Sequence, residues 1–218
     1  MKRNYILFII MLCLPIVLSG QNPENTCPDH FTDPRDNHSY NTVLIGDQCW
    51  MAENLNSGIM VPDFNQSSNG IIEKSCYNDN PELCQIYGGL YTWFELADNI
   101  CPDGWHVPSK KEWAQLNEYL GIKETGTHLK SAPDDDPSWD GDNSSGFRAI
   151  PSGVGYENHF GRMGHWAVYW TSTSEDDDYA WFAQLDNHWY LDKYTILYLG
   201  NHFLKKNGFS VRCIKSDR

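Results

Sequence analysis

Basic residues are scarce in this chain of 218 residues: 16 Lys and Arg stand against 29 Asp and Glu, for a net charge of −13. That balance argues against nucleic acid or an anionic membrane as a partner, since both reward basic patches. Long apolar runs are equally scarce. Only Tyr5 to Leu18 qualifies, and it is too short for a comfortable membrane span. Close Cys-x-x-Cys pairs are missing, which removes the usual zinc reading of the cysteines. Neither His-Glu-x-x-His nor Gly-x-Ser-x-Gly occurs, so two common hydrolytic signatures are absent. Gly153, Gly155, Gly161 and Gly164 lack the strand–helix setting of a phosphate-binding loop. With no internal repeat and no dividing linker, one domain with one sizeable core is expected.

What is present begins with a targeting pattern. Lys2 and Arg3 precede the apolar run, and Ser19-Gly20 supply small residues after it. Residues 1–20 therefore read as a cleaved secretory signal peptide, followed by a polar leader over 21–26. The mature chain is expected to be secreted or held at the cell surface, with no stable membrane span. Export changes the meaning of the cysteines. Cys27, Cys49, Cys76, Cys84, Cys101 and Cys213 remain after the signal, an even set that reads as three disulfides. Spacing alone leaves their pairing open. Aromatic content of 14%, with nine Trp, excludes a disordered chain.

Along the chain, Thr42–Val43–Leu44–Ile45 and Gln48–Cys49–Trp50–Met51 flank a Gly46-Asp47 turn, a hairpin signal. Residues 56–80 read as a long surface loop, which a disulfide across Asn78-Asp79-Asn80-Pro81 would staple. Leu90, Trp93, Phe94 and Ala97 share one helical face, which predicts a first helix ending near Asn99. A second helix is predicted after Ser109. Glu112 completes a capping box, Trp113, Leu116 and Leu120 fall on one face, and Gly121 marks the end. Later strands are predicted at Phe147 to Pro151, Val168 to Thr173, Ala180 to Leu185, Thr195 to Leu199 and Phe209 to Ile214, with an acidic hairpin tip at Glu175 to Asp178. Two early helices and a run of late strands indicate α+β.

Several ordered motifs carry a family resemblance. They are Tyr40–Leu55, Tyr87–Trp93, Cys101–Ser109, Gly146–Gly153, Tyr169–Thr173 and Ser210–Lys215. Over residues 27–216 the chain resembles the Fibrobacter succinogenes major paralogous domain of exported bacterial proteins. The resemblance implies a fold related to C-type lectin-like domains and formylglycine-generating enzymes. Two helices would pack on a twisted antiparallel sheet with long loops, stapled by disulfides. It also implies a pairing: Cys27–Cys49, Cys76–Cys84 and Cys101–Cys213. It carries no defined activity. The Glu-Pro-Asn or Gln-Pro-Asp triplet of calcium-dependent lectins and the Arg-Gly-Gly core of formylglycine-generating enzymes are both missing.

Two constellations are candidate sites. Asp134, Asp135, Asp136, Asp140, Asp142 and Asn143 offer enough oxygens for calcium, which takes six to eight, though not at EF-hand spacing. Trp139 beside them is a candidate sugar-stacking face. Its competing reading is a solvated acidic loop. Among the C-terminal aromatics, Trp170 and Trp181 lie in strand patterns and read as core, whereas Trp189 and Tyr190, with His188 and Asp192, are candidate ligand-binding residues. His106, between Trp105 and the Val107-Pro108 pair, reads as structural. The functional expectation is an exported non-enzymatic domain that binds a glycan or another cell-surface or extracellular ligand, or mediates adhesion. The alternative is an enzyme of unrecognised type on a formylglycine-generating-enzyme-like scaffold.

Overall fold

A hairpin opens the fold where β-branched residues flank a glycine turn. In a computed structural model that describes residues 27–62, 64–67, 69–156, 159–187 and 197–216, β1 (His30–Thr32) pairs with β2 (Ser39–Ile45), and β2 turns at Gly46 into β3 (Gln48–Met51). Gly46 takes φ 61, the left-handed value the turn requires. The expected signal peptide (1–20) and leader (21–26) lie outside the described residues.

The next segment, read from sequence as loop, is more ordered than expected. β4 (Ile59–Met60) and β5 (Glu73–Lys74) form a short parallel pair. They lead to α1 (Pro81–Tyr87), where Asn80 caps Glu82 N–H, Pro81 starts the first turn and Gly88 ends it at φ 78. β6 (Trp105–His106) then precedes α2 (Lys110–Leu120). Here the sequence expectation holds: Ser109 and Glu112 form the capping box, and Gly121 follows the last turn. A five-residue helix, α3 (Thr125–Leu129), follows.

The C-terminal half supplies β7 (Ser152–Tyr156), β8 (His159–Met163), β9 (Trp166–Ser174), β10 (Tyr179–Asp186), β11 (Tyr198–Leu204) and β12 (Ile214–Lys215). One five-stranded sheet has the order β1-β2-β3-β12-β6 and a second the order β11-β10-β9-β7-β8. The last strand thus returns to the first hairpin, with Ile214 opposite Trp50 and His106.

This architecture corrects the α+β expectation and its C-type lectin-like layout of two helices packed on one twisted sheet. Two curled sheets dominate the described residues, and the three α-helices are short. The expected first helix is the main loss. Leu90 and Tyr91 are extended and bridge Ser75 and Phe209, and only a 3-10 turn forms over Trp93–Asp98. Their apolar spacing fits a helix, yet Tyr91 is fully buried with its hydroxyl donating to Ser57 O at 2.8 Å, an arrangement the extended backbone allows. Short apolar runs do not separate helix from strand by periodicity. Phe147 to Pro151 also stays outside a strand, and its pattern resumes as β7.

α2 packs between the sheets. Trp113 and Leu116 are fully buried, and the Trp113 ring lies 4.8 Å from Trp50 of the first sheet and 5.3 Å from Tyr169 of the second. Three disulfides staple the fold: Cys27–Cys49, Cys76–Cys84 and Cys101–Cys213. This is the pairing the family resemblance implies. Cys101–Cys213 spans 112 residues and Cys76–Cys84 spans 8. Chain entropy then assigns about 5 kcal/mol to the long link and about 2.5 kcal/mol to the short one. Replacing Cys101 and Cys213 together by Ser should lower urea stability roughly twice as much as replacing Cys76 and Cys84. Equal losses would show that loop length does not govern these links.

Candidate functional site

The first sheet's hairpin end and the residue 54–74 segment enclose a cleft of about 830 Å³. Its wall begins with the tight turn between β1 and β2. Asp33 is fully buried and binds Arg35 through Nε at 2.9 Å and an Nη at 2.7 Å. The same guanidinium donates to Asn99 O at 3.1 Å and Ile100 O at 3.0 Å, tying the turn to the far wall. Burial works against this cation, but the Asp33 carboxylate outweighs it and raises the Arg35 pKa. Asn37, with φ 60, and His38 complete the turn.

The floor is the segment around Asn56. Tyr40 is fully buried, and its hydroxyl accepts Asn56 N–H at 3.0 Å. Burial pushes both Tyr40 and Tyr91 well above the ordinary phenol value. Lys74 reaches Asn56 O at 2.5 Å and Asn56 Oδ1 at 2.7 Å, and burial lowers its pKa. The floor is therefore held by polar groups already satisfied within the protein.

Two further clefts adjoin this one. A cleft of about 440 Å³ shares His38, Asn56 and Gln85 with it, and another of about 400 Å³ shares Asn99 and Cys101. The three therefore adjoin along these shared residues, and the surface they occupy together is called the groove below. Its central part presents Asp36, Asn37, Gln85, Asn99 and Asp103 beside the exposed Ile59 and Ile71. At the Asn99 end the lining is apolar, with Trp93, Leu96, Ile100, Trp105 and Val107.

Of the candidate calcium and sugar-binding residues singled out from sequence, Asp136 lines the cleft of about 440 Å³, and the other described ones are not among the lining of these clefts. In the acidic loop, Asp135 accepts Ala132 N–H at 2.7 Å and the Asn143 amide at 3.3 Å, while Asn143 Oδ1 accepts Arg148 N–H at 3.0 Å. Asp140 pairs at 2.7 Å with Lys130, a fully buried cation. Asp142 accepts Ser144 N–H at 2.9 Å and meets His128 at 3.3 Å. Burial would raise the Asp142 pKa, but the Ser144 and His128 contacts lower it. Asp134 and Asp136 are exposed. Among the described residues no group of three or more His, Cys, Asp or Glu is gathered as a metal would require. Trp139 is only 7% exposed and packs in the core with Trp113 and Phe147, with the Lys130 ammonium 5.1 Å from its ring. Its face is not offered to solvent. His188, Trp189, Tyr190 and Asp192 lie outside the described residues. Trp170 is buried in β9, as its strand pattern implied, and Glu175 to Asp178 form the turn between β9 and β10.

Sequence reading did not find the groove, because its polar and apolar lining comes from many separated stretches with no shared periodicity. The left-handed Asn37 and Asn99 were its nearest signal.

A family model for the Fibrobacter succinogenes major domain matches residues 43–215. The chain belongs to this family. No curated protein and no solved structure matches it. In this family member the three disulfides fit an oxidising, extracellular environment. Among the described residues, no helix is long and apolar enough to cross a membrane.

The signature Cys101–Ser109 stretch leads into a polar cluster at the start of α2. Burial acts to raise the Glu112 pKa, but hydrogen bonds from His106 and from the Ser109 N–H and hydroxyl, each 2.7 Å long, outweigh it and hold the group at about 2. A carboxylate lowered on folding stabilises the fold above its unfolded value near 4.5, and that contribution is lost as pH falls toward 2. Urea midpoints should therefore fall over this range, and Glu112→Gln should flatten the slope. An unchanged slope in the variant would show that other carboxylates carry the acid sensitivity.

Proposed function

We propose that the protein is an exported domain that binds an extended neutral glycan along the groove. The observation that carries this reading is the adjacency of three clefts along shared lining residues. Concave sites that combine apolar surface with a few placed polar groups are the usual form of ligand sites. The planar amides of Asn37, Gln85 and Asn99 suit sugar hydroxyls, and the apolar end with Trp93 suits the faces of sugar rings. Adjoining clefts favour an oligomer over a single terminal sugar. The net charge of −13 disfavours sulfated or uronate-rich chains by long-range repulsion. Calcium plays no part in this reading, because Asp135, Asp140 and Asp142 are each bonded within the protein.

Calorimetric titration with soluble neutral oligosaccharides of increasing length tests the reading. Affinity should rise with length until the groove is filled. Gln85→Ala and Asn99→Gly, at the two junctions, should each weaken binding about tenfold, or about 1.4 kcal/mol, without changing the melting temperature. Glycine at 99 keeps the left-handed φ of 52 accessible. Absence of binding to every neutral oligosaccharide tested, or preference for acidic ones, would overturn it.

A further inference from the structure

A second constellation stands at the edge of the groove and involves chemistry that ligand binding does not need. β6 and β12 are antiparallel, with Ile214 opposite His106, and Ser216 N–H donates to Gly104 O at 2.8 Å. This register brings the Ser216 hydroxyl to the His106 ring, with Oγ 2.9 Å from Nδ1. On the other side of the ring, Nε2 lies 2.7 Å from Glu112 Oε1. The second carboxylate oxygen, Oε2, accepts both the Ser109 N–H and the Ser109 hydroxyl, which fixes the carboxylate against the ring. The capping box accounts for Ser109 and Glu112. It does not require His106, and it does not require Ser216.

We infer that Ser216, His106 and Glu112 form a nucleophile–base–acid relay that cleaves carboxylic esters of small, apolar acyl groups. The inference is independent of the glycan reading. Three observations support it. Both links fall within the hydrogen-bond distances that mark an activated hydroxyl and its base. Glu112 is ionised at neutral pH, so it draws the imidazole proton to Nε2 and leaves Nδ1 as the acceptor for the Ser216 hydroxyl. His106 is 39% exposed and lines the apolar cleft of about 400 Å³ with Leu96, Ile100, Trp105 and Val107, space for an acyl group beside the base. The ring nitrogens are used in the opposite sense to the familiar serine triad, which is recognised by roles and geometry rather than by position.

The chemistry balances without any further reactant but water. Ser216 Oγ bonds to the ester carbonyl carbon as its proton passes to His106 Nδ1. The carbon–oxygen bond to the alcohol then breaks, and the imidazolium returns that proton to the departing oxygen. Water repeats the sequence on the acyl-serine, releasing the carboxylic acid and restoring the hydroxyl. Glu112 remains ionised and steadies the imidazolium.

The test uses the purified chain with p-nitrophenyl acetate and butyrate as substrates, and a fluorophosphonate probe followed by peptide mapping. The probe should bond to Ser216 with loss of fluoride. Ser216→Ala and His106→Ala should each lower kcat/KM by about 10²- to 10⁴-fold, the usual range for a positioned base. Ser216 lies at the end of the described chain, outside the core clusters. Ser216→Ala should therefore leave the urea midpoint and oligosaccharide binding unchanged, which separates loss of the relay from loss of the fold or of the groove. Hydrolysis equal in wild type and Ser216→Ala, or a label on any other residue, would overturn the inference.

Discussion

Arg212 is the interaction on which the two sheets depend. It is fully buried, and its guanidinium donates to Phe147 O at 2.6 Å, Met51 O at 3.3 Å and Asn54 Oδ1 at 2.6 Å. It also stacks over the Phe147 ring at 4.3 Å. Carbonyl oxygens, the Asn54 amide oxygen and aromatic faces offset the cost of burying the cation. The residues around it act as a spine. Phe209 bridges Tyr91, Ser210 O accepts Trp170 N–H, Val211 O accepts Leu55 N–H and Cys213 O accepts Met51 N–H. One extended segment thus satisfies backbone groups of both halves, and Cys101–Cys213 locks it to the entry of α2.

The groove follows from that spine. Val211 and Cys213 hold Met51 and Leu55, which place Asn54 and Asn56; Tyr40 and Tyr91 then fix the Asn56–Ser57 backbone from below. The floor is rigid because its donors and acceptors are used internally, while the exposed Asn37 and Asn99 on turns and Gln85 on α1 stand around it. Fixed scaffold beneath variable polar side chains is the usual division of labour in binding sites. The same spine, continued through Ile214 to Ser216, delivers a hydroxyl to His106. His106 therefore joins the apolar end of the groove to the start of α2.

Local signals are legible in this sequence and non-local ones are not. The α2 helix was legible because its cap, its apolar face and its terminal glycine all lie within a dozen residues. The β2–β3 hairpin was legible for the same reason. α1 was overlooked although Asn80, Pro81 and Gly88 are ordinary start and stop residues, because Cys76 and Cys84 drew the stretch toward a stapled turn. Trp139 looked like a surface platform because carboxylates surround it in sequence. In the fold, Gly141 lets that loop settle against the Lys130 backbone, where even a Cβ would come within 2.2 Å of Lys130 O, and the indole enters the core. His106 was read as structural, a reading its neighbours in sequence support and its partner Ser216, 110 residues away, extends.

By itself the sequence determined the cysteine set, the acidic balance of charge, the capping-box helix α2, the first hairpin and the family. These rest on residue chemistry or on contacts a few positions apart, where chain geometry alone brings the groups together. The architecture of two sheets, the loss of the Leu90–Ala97 helix, the burial of Trp139 and the groove were decided only by tertiary structure. Each depends on which distant segments satisfy one another's backbone groups and apolar faces. That choice was made by the C-terminal spine around Arg212, and no local pattern records it.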